Sequence, residues 1–300
     1  MPKDKLALII PTVNRIEYIS RLLESVRRQS LFPQELLIID AGPLDISHIL
    51  KKYSDMNIRY IIAGPPSLTK QRNIGITNLS ESITLVGFVD DDIVFEEKSL
   101  ENMLKFWETE TPDIAGASFN NIYYNYRSPN IFEYFFLVSS SQRGKLLKSG
   151  FNSPILSIDS TRGVNWLFGG ITVWRRKVVE EFKFDEWFTG NAFCDDVDYS
   201  HRVGKRYKLM VVKNAKVIHL TSQIDYTKEF IFGKTVIMNR VYFVRKNREF
   251  SLVLCCWACF GVCFGNLIKG ILWHDRGLLR RACGNFIGLC ESVSAGRNKC

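Results

Sequence analysis

The sequence predicts an α/β fold: a doubly wound, mostly parallel sheet followed by a hydrophobic helical extension. Three observations carry this expectation. Apolar runs at residues 6–10, 36–39 and 86–89 have the length of strands buried on both faces, and 58–62 is expected to be another strand. Between them apolar residues return at helical spacing, with charged residues on the other face. From residue 226 to 300 the alternation stops and the chain turns basic and strongly apolar. Strands alternating with helices imply right-handed crossovers, which bring the carboxyl ends of the strands to one edge. Ligands bind at that edge in open α/β sheets.

The first run stops at Pro11-Thr12, and Ile16, Ile19, Leu22, Leu23 and Val26 mark a helix after it. The second ends at Asp40 and is broken by Gly42-Pro43; a short helix over 46–53 leads to the third, closed by Gly64-Pro65-Pro66. A helix over 68–79 precedes the fourth, which ends in Asp90-Asp91-Asp92. Pro11, Asp40 and Asp90 therefore face one crevice. Leu100, Met103, Leu104 and Trp107 predict another helix, and 113–119 a strand. Residues 120–165 lose periodicity and are crowded with Tyr123, Tyr124, Tyr126, Phe132, Tyr134, Phe135 and Phe136. Long irregular segments in compact domains are commonly functional. Here acceptor contact and core packing are equal readings. Periodicity returns at 166–171, before a basic helix start at 175–177. Asp195-Asp196-Val197-Asp198 suits a first helical turn, and Asp198 and Arg202 are spaced to pair along it. Strands at 209–212 and 215–219 follow.

Three hundred residues hold one large α/β domain, 1–225, and an appendage, 226–300. The +9 charge is uneven: residues 1–200 carry 22 basic and 26 acidic side chains, residues 201–300 carry 18 and 5. A basic, apolar back end points to an anionic membrane surface rather than nucleic acid. Residues 250–273 could span a bilayer with tilt, lie along its surface, or form a buried core helix. Arginines and lysines on both flanks give it no orientation. Seven of eight cysteines lie at or after Cys255, a distribution that suits a reducing compartment better than a disulfide framework. Residues 6–10 are too short for the apolar core of a secretory signal.

The acidic triplet is the chemical centre of the sequence. Adjacent carboxylates repel unless positive charge stands among them. Hard divalent cations accept one or two carboxylates and fill their remaining positions with water and phosphate. A metal–diphosphate site is one reading of the triplet, and an acidic helix cap the other. The second cluster, about a hundred residues on, favours a shared site.

Six segments, in order, resemble the inverting family-two glycosyltransferases of glycosyltransferase-A fold, in particular a bacterial rhamnosyltransferase-like group. They are Ile9-Ile10-Pro11-Thr12-Val13-Asn14-Arg15, Leu37-Ile38-Ile39-Asp40, Gln71-Arg72-Asn73-Ile74-Gly75, Val89-Asp90-Asp91-Asp92, Phe168-Gly169-Gly170 and Asp195-Asp196-Val197-Asp198. The resemblance covers residues 5–220, and the basic tail is similar to extensions of bacterial members. It implies a nucleotide-sugar donor held by Pro11, Thr12, Asn14, Arg15, Asp40, Arg72, Asp90 and Asp91. It implies a divalent cation, Mg²⁺ or Mn²⁺, at Asp92 and Asp90 with His219. Acceptor contacts fall to Trp166, Gly169, Gly170 and Asp195, with Asp196 as general base. Val13 stands where relatives often carry an aromatic residue, Ala41 where a second acid is frequent, and Asp195 where glutamate is usual.

The expectation is sugar transfer from a UDP- or dTDP-sugar to a glycan or lipid-linked acceptor at the cytoplasmic face of the cell membrane. One rival keeps the site and takes polyprenyl phosphate as acceptor. Two others are a non-catalytic nucleotide-binding or membrane scaffold, and a nucleotidyltransferase, which would release pyrophosphate.

Overall fold

The computed structural model describes residues 4–123, 128–190, 192–220 and 227–295. In chain order the strands are β1 (Leu6–Thr12), β2 (Glu35–Asp40), β3 (Ile58–Ile62), β4 (Leu85–Val89), β5 (Ile93–Phe95), β6 (Ile114–Asn121), β7 (Arg162–Val164), β8 (Ile171–Arg175) and β9 (Lys208–His219). The helices are α1 (Ile16–Arg27), α2 (Ser47–Leu50), α3 (Leu68–Thr77), α4 (Ser99–Thr109), α5 (Ile131–Phe135), α6 (Arg176–Glu181), α7 (Asp195–Gly204), α8 (Glu229–Lys246), α9 (Leu252–Leu272) and α10 (Arg276–Ala295). The chain forms two compact units, Met1–Asn125 with Ile155–Ser222, and Tyr126–Pro154 with Gln223–Cys300.

In the first unit the strands form one sheet in the order β3-β2-β1-β4-β8-β6-β9-β5, with β7 on β9. The half read most directly from the sequence, β3-β2-β1-β4, is parallel throughout. β1, β2 and β4 are buried on both faces, which is why they read as unbroken apolar runs, whereas the edge strand β3 is half-exposed and carries Arg59. Leu6, Leu8 and Ile10 of β1 join the core on one face, Ala7 and Ile9 the core on the other. α3 lies so close to β1 that a Cβ at Gly75 would collide with Ile9. β8 enters antiparallel between β4 and β6. The two strands expected at 209–212 and 215–219 are one, β9, whose register with β6 shifts after Phe119. β5 has three residues, too few to show a period, and pairs with the end of β9.

The second unit contains α5, α8, α9 and α10. Residues 128–154, which a single boundary at 225 would assign to the first domain, belong here because their aromatic residues pack on α9. Phe136 stacks on Trp257 at 4.7 Å, and a Cβ at Gly261 would collide with Phe136. Tyr124 and Tyr126 lie outside the described residues. α10 packs on both α8 and α9. Gly233, Gly284 and Gly288 let α8 and α10 approach through their backbones.

Candidate active site

β1 and β2 end side by side, with Thr12 in register with Asp40. Gln71 of α3 donates from Nε2 to the carbonyls of Thr12 (3.0 Å) and Ile39 (2.7 Å), tying both strand ends to one helix. Asp40 is 1% exposed. Its Oδ1 accepts from the Gly42 N–H at 2.8 Å and its Oδ2 from the Tyr60 hydroxyl at 2.9 Å. Each carboxylate oxygen has a second lone pair, so Asp40 retains capacity for another donor. Asn14, at φ 53°, packs against Gly42 so tightly that a Cβ there would strike its side chain.

The three aspartates after β4 have different surroundings. Asp90 is half-buried, and its Oδ1 receives Arg72 Nη2 at 3.1 Å. Asp91 is buried; Thr12 donates to Oδ2 at 2.7 Å and Arg15 Nη1 to Oδ1 at 2.6 Å. Burial outweighs these partners and pushes the Asp91 carboxyl up to about 7. Asp92 receives Arg15 Nη2 on Oδ2 at 2.9 Å and lies 3.0 Å from His219 Nε2 through Oδ1. Burial alone would raise its pKa, but His219 and Arg15 together hold it below the ordinary carboxylate value. Burial also opposes charge on His219, yet the hydrogen bond and charge of Asp92 raise the imidazole above its usual value. Pairing of β5 with β9 brings these two residues together: Ile93 stands opposite His219, and the Leu220 N–H donates to the Asp92 carbonyl at 2.9 Å.

The second cluster opens α7, where acidic side chains complement the helix N-terminus. Asp195 is buried and accepts from Arg72 Nη1 at 2.7 Å. Burial drives its carboxyl up to about 7 against the pull of Arg72. Asp196 is half-buried, held by the N–H groups of Val197 on Oδ1 (2.7 Å) and Gly169 on Oδ2 (3.3 Å). Asp198 is wholly buried and accepts from Arg202 Nε at 2.8 Å, the pairing its spacing implied.

Gly169 and Gly170 stand between the clusters. The Asp90 N–H donates to the Gly170 carbonyl at 2.9 Å, and a Cβ on Gly170 would run into the Asp90 carboxylate. A Cβ on Gly169 would lie 2.9 Å from Arg72 Nη1 and 3.0 Å from the Asp196 Cβ. The two clusters are thus brought together by one arginine and one pair of glycines. Arg72, expected at a phosphate or base, is 2% exposed and directs Nη1 and Nη2 to Asp195 and Asp90. Asp195, expected at the acceptor, is buried against it. Trp166 is buried beside Leu167. Sequence reasoning missed Tyr60 and Gln71. An exposed-looking Tyr in an edge strand and a Gln beside the noted arginine carried no signal without the tertiary pairing.

Among the described residues no three His, Cys, Asp or Glu side chains converge as a complete metal cage. A Mg²⁺- or Mn²⁺-type ion bridging phosphates needs only one or two carboxylates. Asp92 Oδ1 fits that need: it is buried, has no well-aligned hydrogen bond, and lies beside His219 Nε2.

Comparison with known proteins agrees with this fold. The Bacillus subtilis minor teichoic acid biosynthesis protein GgaA is 32% identical over 117 residues, 36% of this chain and 26% of GgaA. The chain thus spans about a quarter of that relative's length. The Pyrobaculum calidifontis mannosyltransferase PcManGT, solved with GDP-Man and Mn²⁺, superposes with a TM-score of 0.58 at 12% identity, over 98% of this chain and 87% of that one. S. aureus TarS 1–349 with UDP-GlcNAc gives 0.53 at 14% identity, over 97% and 92%. These likenesses show a shared glycosyltransferase-A fold. The family model for glycosyl transferase family 2 matches residues 7–157, just over half the chain, so this chain belongs to that family.

Proposed function

We propose that the enzyme moves a sugar from a UDP- or dTDP-sugar to a glycan or lipid-linked acceptor in a single inverting displacement. The observation that carries this reading is the meeting of Asp90 and Asp196 at Gly169-Gly170. An inverting transfer needs a base on one side of the sugar and charge stabilisation for the leaving diphosphate on the other. Asp196 takes the proton from the acceptor hydroxyl as it attacks the anomeric carbon. Its half-exposed carboxylate, anchored by two backbone N–H groups, is positioned without being sealed off. Asp40, already fixed by Gly42 and Tyr60, accepts from the imide N–H of a uracil or thymine, while Pro11, Thr12, Asn14 and Arg15 line the nucleotide crevice. Asp91 stiffens that crevice through Thr12 and Arg15.

Asp92, with Asp90 and His219, would hold a divalent cation. When bound, such an ion supplies Lewis-acid stabilisation of the departing diphosphate. PcManGT was solved with GDP-Man and Mn²⁺ and TarS with UDP-GlcNAc, which supports a nucleotide-sugar donor and a divalent ion. The choice of UDP or dTDP over GDP rests on Asp40. The naming of GgaA for teichoic acid synthesis supports a cell-envelope polymer or its lipid-linked precursor as acceptor, met at the cytoplasmic face of the membrane. In this reading the first unit carries the chemistry and the second, which includes residues 128–154, the membrane attachment.

The test is a panel of nucleotide sugars incubated with the enzyme, with and without EDTA. We expect nucleoside diphosphate release from a uridine or thymidine donor, abolished by EDTA, and a product of inverted anomeric configuration by NMR. Release of pyrophosphate, or retained configuration, overturns the proposal.

A further inference from the structure

The second unit carries a long apolar helix whose two sides face different neighbours. α9 is 21 residues long with a mean hydropathy of 1.8, enough to cross a bilayer by length and composition. One side is occupied by protein. Cys255, Ala258, Cys259 and Cys263 are buried, and Gly261 and Gly265 lie against Phe136 and Phe132. The other side is an exposed stripe of Val253 (78%), Trp257, Phe260, Phe264, Leu267 and Ile271 (58%). Successive members are three or four residues apart, so they form a single line along the helix. Phe260 and Phe264 stack at 6.0 Å. The apolar surface continues onto α5 through Phe135, 5.3 Å from Trp257. Trp273, Arg276 and Arg280 line a cleft of about 500 Å³ at the far end of the stripe.

α10 fixes the depth at which α9 can lie. It runs antiparallel beside α9: Leu279 meets Gly270, and Asn285 Oδ1 accepts from Asn266 Nδ2 at 2.9 Å. α10 also binds α8 through charged groups. Arg281 pairs with Glu229, Lys234 with Glu291 at 2.7 Å, and Arg245 donates to the Ser292 carbonyl at 2.7 Å. Residues 281 to 292 cover about 16 Å of helix at about 1.5 Å per residue. Were α9 to span, α10 would lie at the same depth, and these charged groups would enter a hydrocarbon core about 30 Å thick, where charge is strongly disfavoured. A helix lying flat immerses only its apolar side, by roughly 5–10 Å, and leaves the charged side in water.

We propose that α9 lies in the plane of an anionic bilayer as a monotopic anchor. Its Val253–Ile271 stripe is immersed, and Arg276 and Arg280 engage lipid phosphates. This deepens the membrane part of the proposed function and rests on it for its setting. Its test uses neither donor nor acceptor, so its failure leaves the chemistry standing.

The full chain is floated with vesicles of phosphatidylcholine alone or with phosphatidylglycerol added, and its depth is read with lipids brominated at defined acyl positions. Each position is read in its own single-tryptophan chain, Trp257 alone in one and Phe264→Trp with Trp257→Phe in the other, the remaining tryptophans being replaced by Phe. We expect binding at least tenfold stronger to the anionic vesicles, with quenching at residues 257 and 264 greatest from the same shallow bromines. Phe260→Glu with Phe264→Glu, both on the exposed side, should abolish flotation with the melting temperature unchanged. Arg276→Gln with Arg280→Gln should remove the preference for anionic lipid. Deepest quenching at residue 264 alone would mean a span and overturn the proposal, as would equal binding to both vesicle types. Flotation of the double-glutamate variant would overturn it too. Inorganic phosphate at millimolar concentration should not release the protein. If it does, the cleft is a free-phosphate site, and the lipid assignment fails.

Discussion

Arg72 and Asp195, 123 residues apart, meet through a 2.7 Å hydrogen bond while the other arm of the same guanidinium reaches Asp90 at 3.1 Å. One buried cation thereby sets the separation between the two carboxylate clusters. Only a planar fork can serve both at once, which is why lysine is a poor substitute here.

Arg72→Ala leaves two carboxylates near each other without their shared counter-charge. Removing one partner of a buried pair typically costs about 3–5 kcal/mol, and we expect a loss of that order in chemical denaturation. Arg72→Lys should fold, with kcat falling at least tenfold because the spacing of the two clusters is altered, and with donor KM rising as Asp90 loses its partner. Denaturant melts and steady-state kinetics of both variants check this.

Asp196→Asn keeps one acceptor oxygen, for the Val197 N–H, and gives up only the longer 3.3 Å bond from the Gly169 N–H, so its melting temperature should fall only slightly. Loss of a general base typically removes about 10²–10⁴ of the rate. Transfer to a natural acceptor should fall by that factor, while donor binding measured by calorimetry is unchanged. Transfer at near wild-type rate would remove Asp196 from the mechanism.

Asp91 and Asp195 both have carboxyls raised to about 7 by burial. A raised acid contributes stability that is complete below its unfolded pKa, about 3.9, and is lost as pH rises through the folded value. His219, also raised, acts with the same sign. Asp92, held low, loses its contribution only in acid. The protein should therefore become less stable from about pH 4 to 7, each aspartate contributing up to about 1.4 kcal/mol per pH unit, with His219 extending the fall above its ordinary value. Asp195→Asn should flatten part of this slope, and Asp91→Asn a further part, in melts recorded across that range.

Gly170→Ala places a methyl group where the Asp90 carboxylate lies. Overpacking of this kind costs about 1–3 kcal/mol. We expect a stability loss in that range and a donor KM raised at least tenfold, since Asp90 must move. Gly163→Ala, where the nearest atom is 3.8 Å from the added Cβ, is the matched control.

Strands β1, β2 and β4 were legible because burial on both faces writes itself as unbroken apolar runs, and helices α1 and α4 because they bury one stripe each. α8 was not legible: apolar residues surround it, from exposed Ile231 to buried Val241, so no stripe marks it. β5 and β7 have three residues each and take their form from β9. The acidic clusters were evident as sequence, since carboxylates at the ends of apolar runs are conspicuous. That Arg72 would turn inward between them was not, because its direction depends on where α7 docks. Tyr60 and Gln71 act on atoms from other strands and leave no local trace.

The acid triplet already has its charge balanced from within, by Arg15 on Asp91 and Asp92, Arg72 on Asp90 and His219 on Asp92. A protein so neutralised does not depend on inorganic ions to stay assembled. Starving it of them should silence it without unravelling it, and resupply should restore turnover with no refolding lag. Arg15 occupies Oδ2 of Asp92 and leaves Oδ1 to an ion, so the two could share one carboxylate without either being dislodged.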